Sequence, residues 1–274
     1  MTALGLPLPL TRLPILTELL ERQRLLALYG LATLLLALPV LALQAIDPRT
    51  LHGVGVWVKP AKFLVSVGIF ALTAAWYWGY VAPERRGSGP LRLTAAVLVG
   101  SASFELLYIL LQAGRGLDSH FNFTSPLYVA MYGLMGLAAV LLVGTVLPLA
   151  WQIVRHPVPG LRGDFVAALA IGLVLTFLLG GALGGYMSAQ AGHSVGAQGG
   201  HVPFFGWNRS GGDLRVAHFL GIHAEQALPL FAASMAGRSP RMRWTGLALA
   251  TLAYVALTLA VFAQAVAGKP LLAL

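Results

Sequence analysis

Long apolar stretches of about 20 residues or more dominate this sequence, and its charged residues are concentrated in the short breaks between them. Only 10% of the 274 residues are charged, whereas a water-soluble domain carries about a quarter. In a lipid bilayer the backbone must satisfy its own hydrogen bonds, so stretches of this length cross as helices. The sequence therefore predicts an all-α, polytopic transmembrane helical bundle with about seven spanning helices.

The predicted domain organisation is simple. Residues 1–24 form an N-terminal cytoplasmic or interfacial segment, and residues 25–274 form a single transmembrane helical domain with a long outer loop at 190–214. The predicted spans are 25–46, 62–82, 91–113, 125–154, 163–189, 215–236 and 243–266.

The distribution of Lys and Arg predicts how the chain is oriented. Eleven of the eighteen Lys and Arg residues fall on one side of the predicted spans and seven on the other. The positive-inside rule then puts the N-terminus in the cytoplasm and the C-terminus outside. This rule also explains the net charge of +9. The sequence has no basic stretch interleaved with aromatic residues, so it does not indicate nucleic acid as a partner.

The chain contains no cysteine, which excludes disulfides, thiolate nucleophiles and thiolate-bound metals. Six of its seven histidines, all except His156, and its membrane-depth polar residues cluster toward the predicted outer side. Glu105, Tyr108 and Gln112 are spaced by three and four residues and so share one helix face. His223 has a depth similar to that of Glu105, and we expect the two to meet if their helices are neighbours.

His218 and His223 are five residues apart and diverge by about 140° around a helix, so they do not chelate one ion in the manner of two histidines one turn apart. One is a candidate ligand while the other contacts a different group. In GGALGG, Gly181 and Gly184 offer either room for a flat cofactor or a close helix contact, and contact is the favoured interpretation.

Three further features have both a functional and a structural interpretation. Asp213 is expected to cap the following helix and to pair with an arginine. Lys59 and Lys62 either bind lipid phosphate or extend to the membrane surface, and the latter is favoured. The aromatic loop segment with Pro203, Phe204, Phe205 and Trp207 predicts either a lid or an ordinary interfacial loop.

The segments VKPAKF, GRGLDSHFN and GGDLRVAHFLGIHAEQ resemble stretches of uncharacterised bacterial multi-pass membrane proteins over most of the chain. The resemblance implies insertion into a bacterial cytoplasmic (inner) membrane and carries no activity with it.

The leading functional hypothesis is a membrane-embedded enzyme, an oxidoreductase or a lipid-directed hydrolase, with its site in the outer leaflet. It would depend on a transition metal ion (Zn, Fe or Cu) or on haem b, which imidazole and carboxylate ligands suit. Its expected substrate is a membrane lipid or a quinone. The candidate residues are Glu105, Tyr108, His120 and Asp213 for catalysis, His218, His223, Gly181 and Gly184 for the cofactor, and His218, His223, Glu105 and His193 for a metal.

Two alternatives stay open. Glu105, His223 and Glu225 could form a proton-linked or ligand-binding site without catalysis, because buried carboxylates and histidines exchange protons near neutral pH. The other alternative is a structural or assembly subunit whose outer loop contacts a partner.

Overall fold

The computed structural model describes residues 15–202 and 205–273, and this part of the chain is mostly helical. Residues 1–14 of the predicted N-terminal segment, and Pro203 and Phe204 of the predicted lid, lie outside the described residues. The elements are α1 (Ile15–Arg22), α2 (Arg24–Ile46), β1 (Thr50–Leu51), β2 (Val54–Gly55), α3 (Val58–Trp78), α4 (Gly89–Arg115), α5 (Pro126–Gly144), α6 (Val146–Arg155), α7 (Gly163–Leu175), α8 (Gly181–Ala189), β3 (Ser194–Val195), β4 (Gly212–Asp213), α9 (Leu214–Ile222), α10 (Ala224–Ser234) and α11 (Pro240–Val266). A 3₁₀ turn covers Pro83–Arg85, and a π-helical turn covers Thr176–Gly180 between α7 and α8.

Six segments of the described chain are long and apolar enough to cross a membrane. They are Arg24–Ile46, Val58–Trp78, Gly89–Arg115, Pro126–Arg155, Gly163–Ala189 and Pro240–Val266, and each corresponds to one predicted span. The predicted span 215–236 is instead divided into α9 and α10 at His223, so neither helix alone has the length of a crossing. The membrane helical bundle is therefore supported by six candidate spans.

The start of α3 differs from the prediction by four residues. The predicted span began at Lys62, after Pro60, whereas the helix begins at Val58. Proline is tolerated in the first turn of a helix, because the N–H groups there have no partner within the helix. Pro60 therefore lies inside α3, and the first turn of that helix also carries Lys59.

The chain divides into two compact units, which we call unit 15–159 and unit 160–273, and residues 203 and 204 of the second lie outside the described residues. In unit 15–159, α2 packs along α3, and α4 packs against both α3 and α5. The core of this unit is made of small and branched side chains, namely Ala37, Val40, Ala61, Leu64, Val67, Ala102 and Leu106. Between α2 and α3, β1 pairs with β2 in a short antiparallel hairpin. We call the end of this unit that carries the hairpin and the α4–α5 loop the hairpin end.

In unit 160–273, α7 packs against α10, and α9 packs against α11 and the π-helical turn. The core beneath α9 includes Leu183, Val216, Ala217 and Val261. Strands β3 and β4 pair antiparallel and close the connection between α8 and α9, with Ser194 opposite Asp213. This pairing joins residues near the two ends of the predicted long loop 190–214.

Candidate functional site

Glu105 is a buried carboxylate in the middle of α4, and only 4% of its surface is exposed. Its Oε1 atom has no hydrogen-bond partner. Tyr108 and Gln112, which the spacing put on the same face, are buried as well. The predicted polar face of α4 therefore points into unit 15–159, where an unpaired carboxylate oxygen carries a free-energy cost.

His120, in the α4–α5 loop, lies over this carboxylate. Its Nε2 atom is 4.0 Å from Oε2 of Glu105, which is too long for a direct hydrogen bond. On the other side of the ring, the ammonium group of Lys59 lies 3.1 Å from Nδ1 of His120. Because an ammonium group can only donate, Nδ1 accepts, and the proton of the neutral ring is on Nε2, facing Glu105.

The charge of the imidazole is set by its surroundings. Burial first, and the ammonium group of Lys59 second, lower the pKa of His120 from 6.5 to about 3. The ring is therefore neutral at physiological pH. Aromatic side chains surround it, with ring centroids 6.0 Å away for Phe63 and 6.2 Å away for Tyr132. These apolar rings limit the access of water to the space between His120 and Glu105.

The α4–α5 loop is held in place by polar contacts to its own backbone. The side-chain amide of Gln112 donates to the backbone oxygen of Asp118 at 3.1 Å, and Asn122 donates to the same oxygen at 3.2 Å. The Asp118 carboxylate also bonds His52 of the hairpin at 2.9 Å. The loop that carries His120 is thus tied to both α4 and the hairpin.

Lys59 is positioned by the hairpin end through Trp57 and Asp47. The Asp47 carboxylate accepts from the indole nitrogen of Trp57 at 2.8 Å and from Arg49 at 2.7 Å. These hydrogen bonds, those of Arg49 first, hold the pKa of Asp47 well below its ordinary value. Arg49 in turn donates to the backbone oxygen of Gly114 near the end of α4. The start of α3 is thereby fixed beside α4.

Lys59 was interpreted as extending to the membrane surface, and the structure shows that its ammonium group is bonded to His120. Sequence reasoning therefore missed one member of this group. The available signal was the location of Lys59 just before the predicted span 62–82, on the same predicted side as Glu105 and His120. That signal does not distinguish a lysine that faces its own bundle from one that extends to the membrane surface.

Asp213 has a structural role in unit 160–273. It caps α9 by accepting from the backbone nitrogen of Arg215 at 3.0 Å, and it pairs with the Arg215 guanidinium at 2.5 Å. The backbone nitrogen of Asn208 donates to its other oxygen at 2.8 Å. Burial opposes the ionisation of Asp213, but the bonds from Arg215 and Asn208 lower its pKa below the ordinary value. The expected cap and arginine pair are both present, and His193 lies 4.0 Å away.

Two of the predicted cofactor residues meet at the contact between α8 and α9. A Cβ atom at Gly184 would lie 3.1 Å from Cε1 of His218, so the imidazole packs on this glycine. The Nδ1 atom of His218 is buried without a hydrogen-bond partner. At Gly181, a Cβ atom would meet nothing within 4 Å among the described residues. Gly184 is therefore a helix-contact position, as favoured from the sequence, whereas Gly181 is not.

His223 occupies the break between α9 and α10, where its Nδ1 atom lies 3.2 Å from the side-chain oxygen of Gln226. Its ring centroid is 4.3 Å from that of Phe219. Glu105 belongs to unit 15–159, whereas His218 and His223 belong to unit 160–273. Within residues 15–202 and 205–273, no three His, Asp or Glu side chains gather into a group that could hold a metal ion.

No protein-family model, curated protein or solved structure matches this chain.

Proposed function

We propose that this chain is a membrane-embedded enzyme that performs acid–base chemistry at the hairpin end of unit 15–159, on a lipid or quinone substrate that enters from the bilayer. Glu105 takes or gives the proton, and the neutral ring of His120 donates from Nε2 to the reacting oxygen. Lys59 is a positioning residue, because it fixes the tautomer of His120 through Nδ1.

The observation that carries this proposal is the 4.0 Å separation between Nε2 of His120 and Oε2 of Glu105. Two hydrogen bonds of about 2.8 Å that meet at a right angle on one oxygen atom span about 4 Å. An oxygen held there would accept from His120 and donate to Glu105, so it belongs to a water molecule or a hydroxyl group. Removal of that proton is the first step of a hydrolysis, in which water splits a lipid ester into an acid and an alcohol. In an oxidation, a hydroxyl-bearing lipid would lose the proton, and a quinone would accept its two electrons.

The cofactor of such an enzyme, a zinc, iron or copper ion or haem b, is a separate proposal. A cation between Glu105 and His120 is disfavoured, because the ammonium group of Lys59 already lies against the imidazole. His218 is the better candidate ligand, since its Nδ1 atom is buried without a partner. An optical spectrum with elemental analysis, on protein purified without a His tag or chelator, tests this. A metal or haem signal that His218→Ala removes would support the ligand role.

We further propose seven crossings, with the N-terminus in the cytoplasm of a bacterium and the hairpin end facing outward. The supporting argument is that α9 and α10, of nine and eleven residues, are separated by His223 alone. At 1.5 Å per residue the pair reaches about 30 Å, the thickness of a hydrocarbon core. The excess of Lys and Arg on the opposite side supports the orientation.

The test uses the full chain in nanodiscs made with total bacterial lipid extract, followed by mass spectrometry of the lipids and quinones over time. We expect species whose amounts change with wild-type protein and do not change with Glu105→Gln, a nearly isosteric variant. Glu84→Gln, at an exposed carboxylate in the 3₁₀ turn, is the matched control and should retain wild-type turnover.

A binding or transport protein without catalysis is the alternative. In that case wild type would turn over no lipid or quinone, while one species would co-purify with it and be lost from Glu105→Gln. Turnover that survives in Glu105→Gln would exclude Glu105 as the acid–base group and contradict the proposal.

A further inference from the structure

A second polar group is buried in unit 160–273, at the break between α9 and α10. His223 has backbone angles of φ −99° and ψ 7° and ends the first helix. The Thr176 hydroxyl donates to the Ile222 carbonyl at 3.4 Å and accepts from the Glu225 backbone nitrogen at 3.0 Å. The Thr176 side chain, from the π-helical turn, thus bonds a backbone carbonyl and a backbone N–H group at the break between the two helices.

The break is also fixed by close packing. A Cβ atom at Gly172 would lie 2.9 Å from the carbonyl oxygen of Ala224 and 3.1 Å from Cα of Glu225. Helix α7 therefore approaches α10 closely where the second helix begins. Discontinuous helices and π-helical turns that lie together within a bundle are recurrent places for ion and proton sites.

Three side chains at this break are connected by hydrogen bonds, beginning with Glu225, of which only 1% of the surface is exposed. Its Oε1 atom accepts from the side-chain nitrogen of Gln226 at 2.8 Å. The side-chain oxygen of Gln226 lies 3.2 Å from Nδ1 of His223. Because that oxygen can only accept, Nδ1 of His223 carries a proton. One amide therefore connects a buried carboxyl group to an imidazole.

His223, at one end of these hydrogen-bonded side chains, is linked to the long loop by aromatic contacts. The Phe219 ring covers His223 and is in turn contacted by Trp207 and Phe205, with centroids 5.7 Å and 5.8 Å away. Phe205 and Trp207 stack on each other at 4.4 Å. Two aromatic side chains of the long loop thus contact the break through Phe219.

Other titratable groups face the same region from the neighbouring helices. On α9 there is His218, and on α11 there is Tyr254, whose hydroxyl donates to the Leu220 carbonyl at 2.6 Å. At the far end of α7, Asp164 is paired with Arg162 and Arg243 and lies at the opposite end of the helix from Thr176.

We propose that Glu225 and His223, joined by Gln226, form a proton-binding pair beneath the aromatic side chains of the long loop. An ionisable group at membrane depth carries a large free-energy cost, and its usual explanation is a capacity to bind and release a proton. This pair belongs to unit 160–273, whereas Glu105 and His120 belong to unit 15–159.

Infrared difference spectroscopy of the full chain in nanodiscs, titrated between about pH 5 and 8, tests the proposal. We expect a deuterium-sensitive carboxyl C=O band that changes with pH, is lost in Glu225→Gln and is retained in Glu84→Gln. His223→Asn should move the pH midpoint of this band. Thermal unfolding of each variant checks that it is folded.

A second variant tests the connection itself. Gln226→Leu keeps both titratable groups but removes the amide, so we expect the carboxyl band to persist with a displaced midpoint. A Glu225→Gln spectrum identical to that of wild type overturns the proposal. If the pH midpoint of the carboxyl band is unchanged in both His223→Asn and Gln226→Leu, Glu225 binds its proton without His223, and the proposed pair is overturned.

Discussion

At the residue scale, the burial of His120 and its charged neighbour Lys59 both lower the pKa of the imidazole. Both the loss of hydration and the Lys59 ammonium group disfavour a second proton on the imidazole. The ring therefore stays a neutral donor toward Glu105. A histidine in the same loop but exposed to water would change its charge near neutral pH and would not hold one tautomer.

The first prediction concerns stability against pH. Below pH 6.5 the unfolded chain binds a proton on His120 that the folded chain excludes until about pH 3. The free energy of unfolding should therefore fall as pH falls through this window, by at most about 1.4 kcal/mol per pH unit from this residue. Unfolding in detergent at several pH values measures it.

His120→Asn should make that pH dependence shallower. The control is His201→Asn, which removes an exposed imidazole and should leave the dependence as in wild type. An equal slope in wild type and His120→Asn would show that His120 takes up its proton in the folded state.

The second prediction concerns Asp213, which caps α9 and binds both Arg215 and Asn208. Asp213→Ala leaves these donors without their acceptor and should lower the free energy of unfolding by about 2 kcal/mol. Asp213→Asn keeps one cap acceptor but loses the ion pair, so its loss should be smaller. Thermal unfolding midpoints give the order, and an unchanged midpoint for Asp213→Ala would contradict the structural role.

At the element scale, glycines with similar surroundings in the sequence have different roles. Gly172 of α7 lies against the backbone of α10, and Gly180 lies against Ile222, where a Cβ atom would be 2.8 Å from Cγ2. Gly181, one residue later, would place a Cβ atom in open space. Only the first two positions require the absence of a side chain.

The third prediction follows from this difference. Gly172→Ala would force α7 away from the backbone of α10 and should lower the free energy of unfolding by about 1–3 kcal/mol. Gly181→Ala is the matched control and should be neutral or stabilise α8 by up to about 1 kcal/mol through its higher helix propensity. Equal midpoints for the two variants would show that the α7–α10 contact is looser than described.

At the scale of the whole molecule, the number of crossings depends on α9 and α10. If the pair crosses, the connection at 235–239 is cytoplasmic and the segment after α11 is outside. If it does not cross, both locations are reversed. The exposed residues Arg238 and Lys269 lie in these two segments and distinguish the topologies.

The fourth prediction uses the absence of native cysteine, because an introduced thiol is then the only one in the chain. In intact spheroplasts, a membrane-impermeant maleimide should label Thr50→Cys and Lys269→Cys. It should label Glu84→Cys and Arg238→Cys only after permeabilisation. Labelling of Arg238→Cys together with Thr50→Cys in intact cells would exclude the seventh crossing.

The sequence by itself determined the class of fold and the location of six spans. Apolar stretches of membrane length, bounded by proline and charge, permit little besides helices, because lipid offers the backbone no hydrogen bonds. It also located Glu105, Tyr108 and Gln112 on one buried face, since helix periodicity depends on nothing outside the helix. The cap at Asp213 is local for the same reason.

Only the tertiary structure decided which polar groups meet. It paired Glu105 with His120 and Lys59, placed Thr176 at the break in the predicted span 215–236, and turned Lys59 toward its own unit. These contacts join residues up to 61 positions apart, and their existence depends on how helices pack and loops return. Periodicity describes one helix face at a time and contains no information about the partner that covers it.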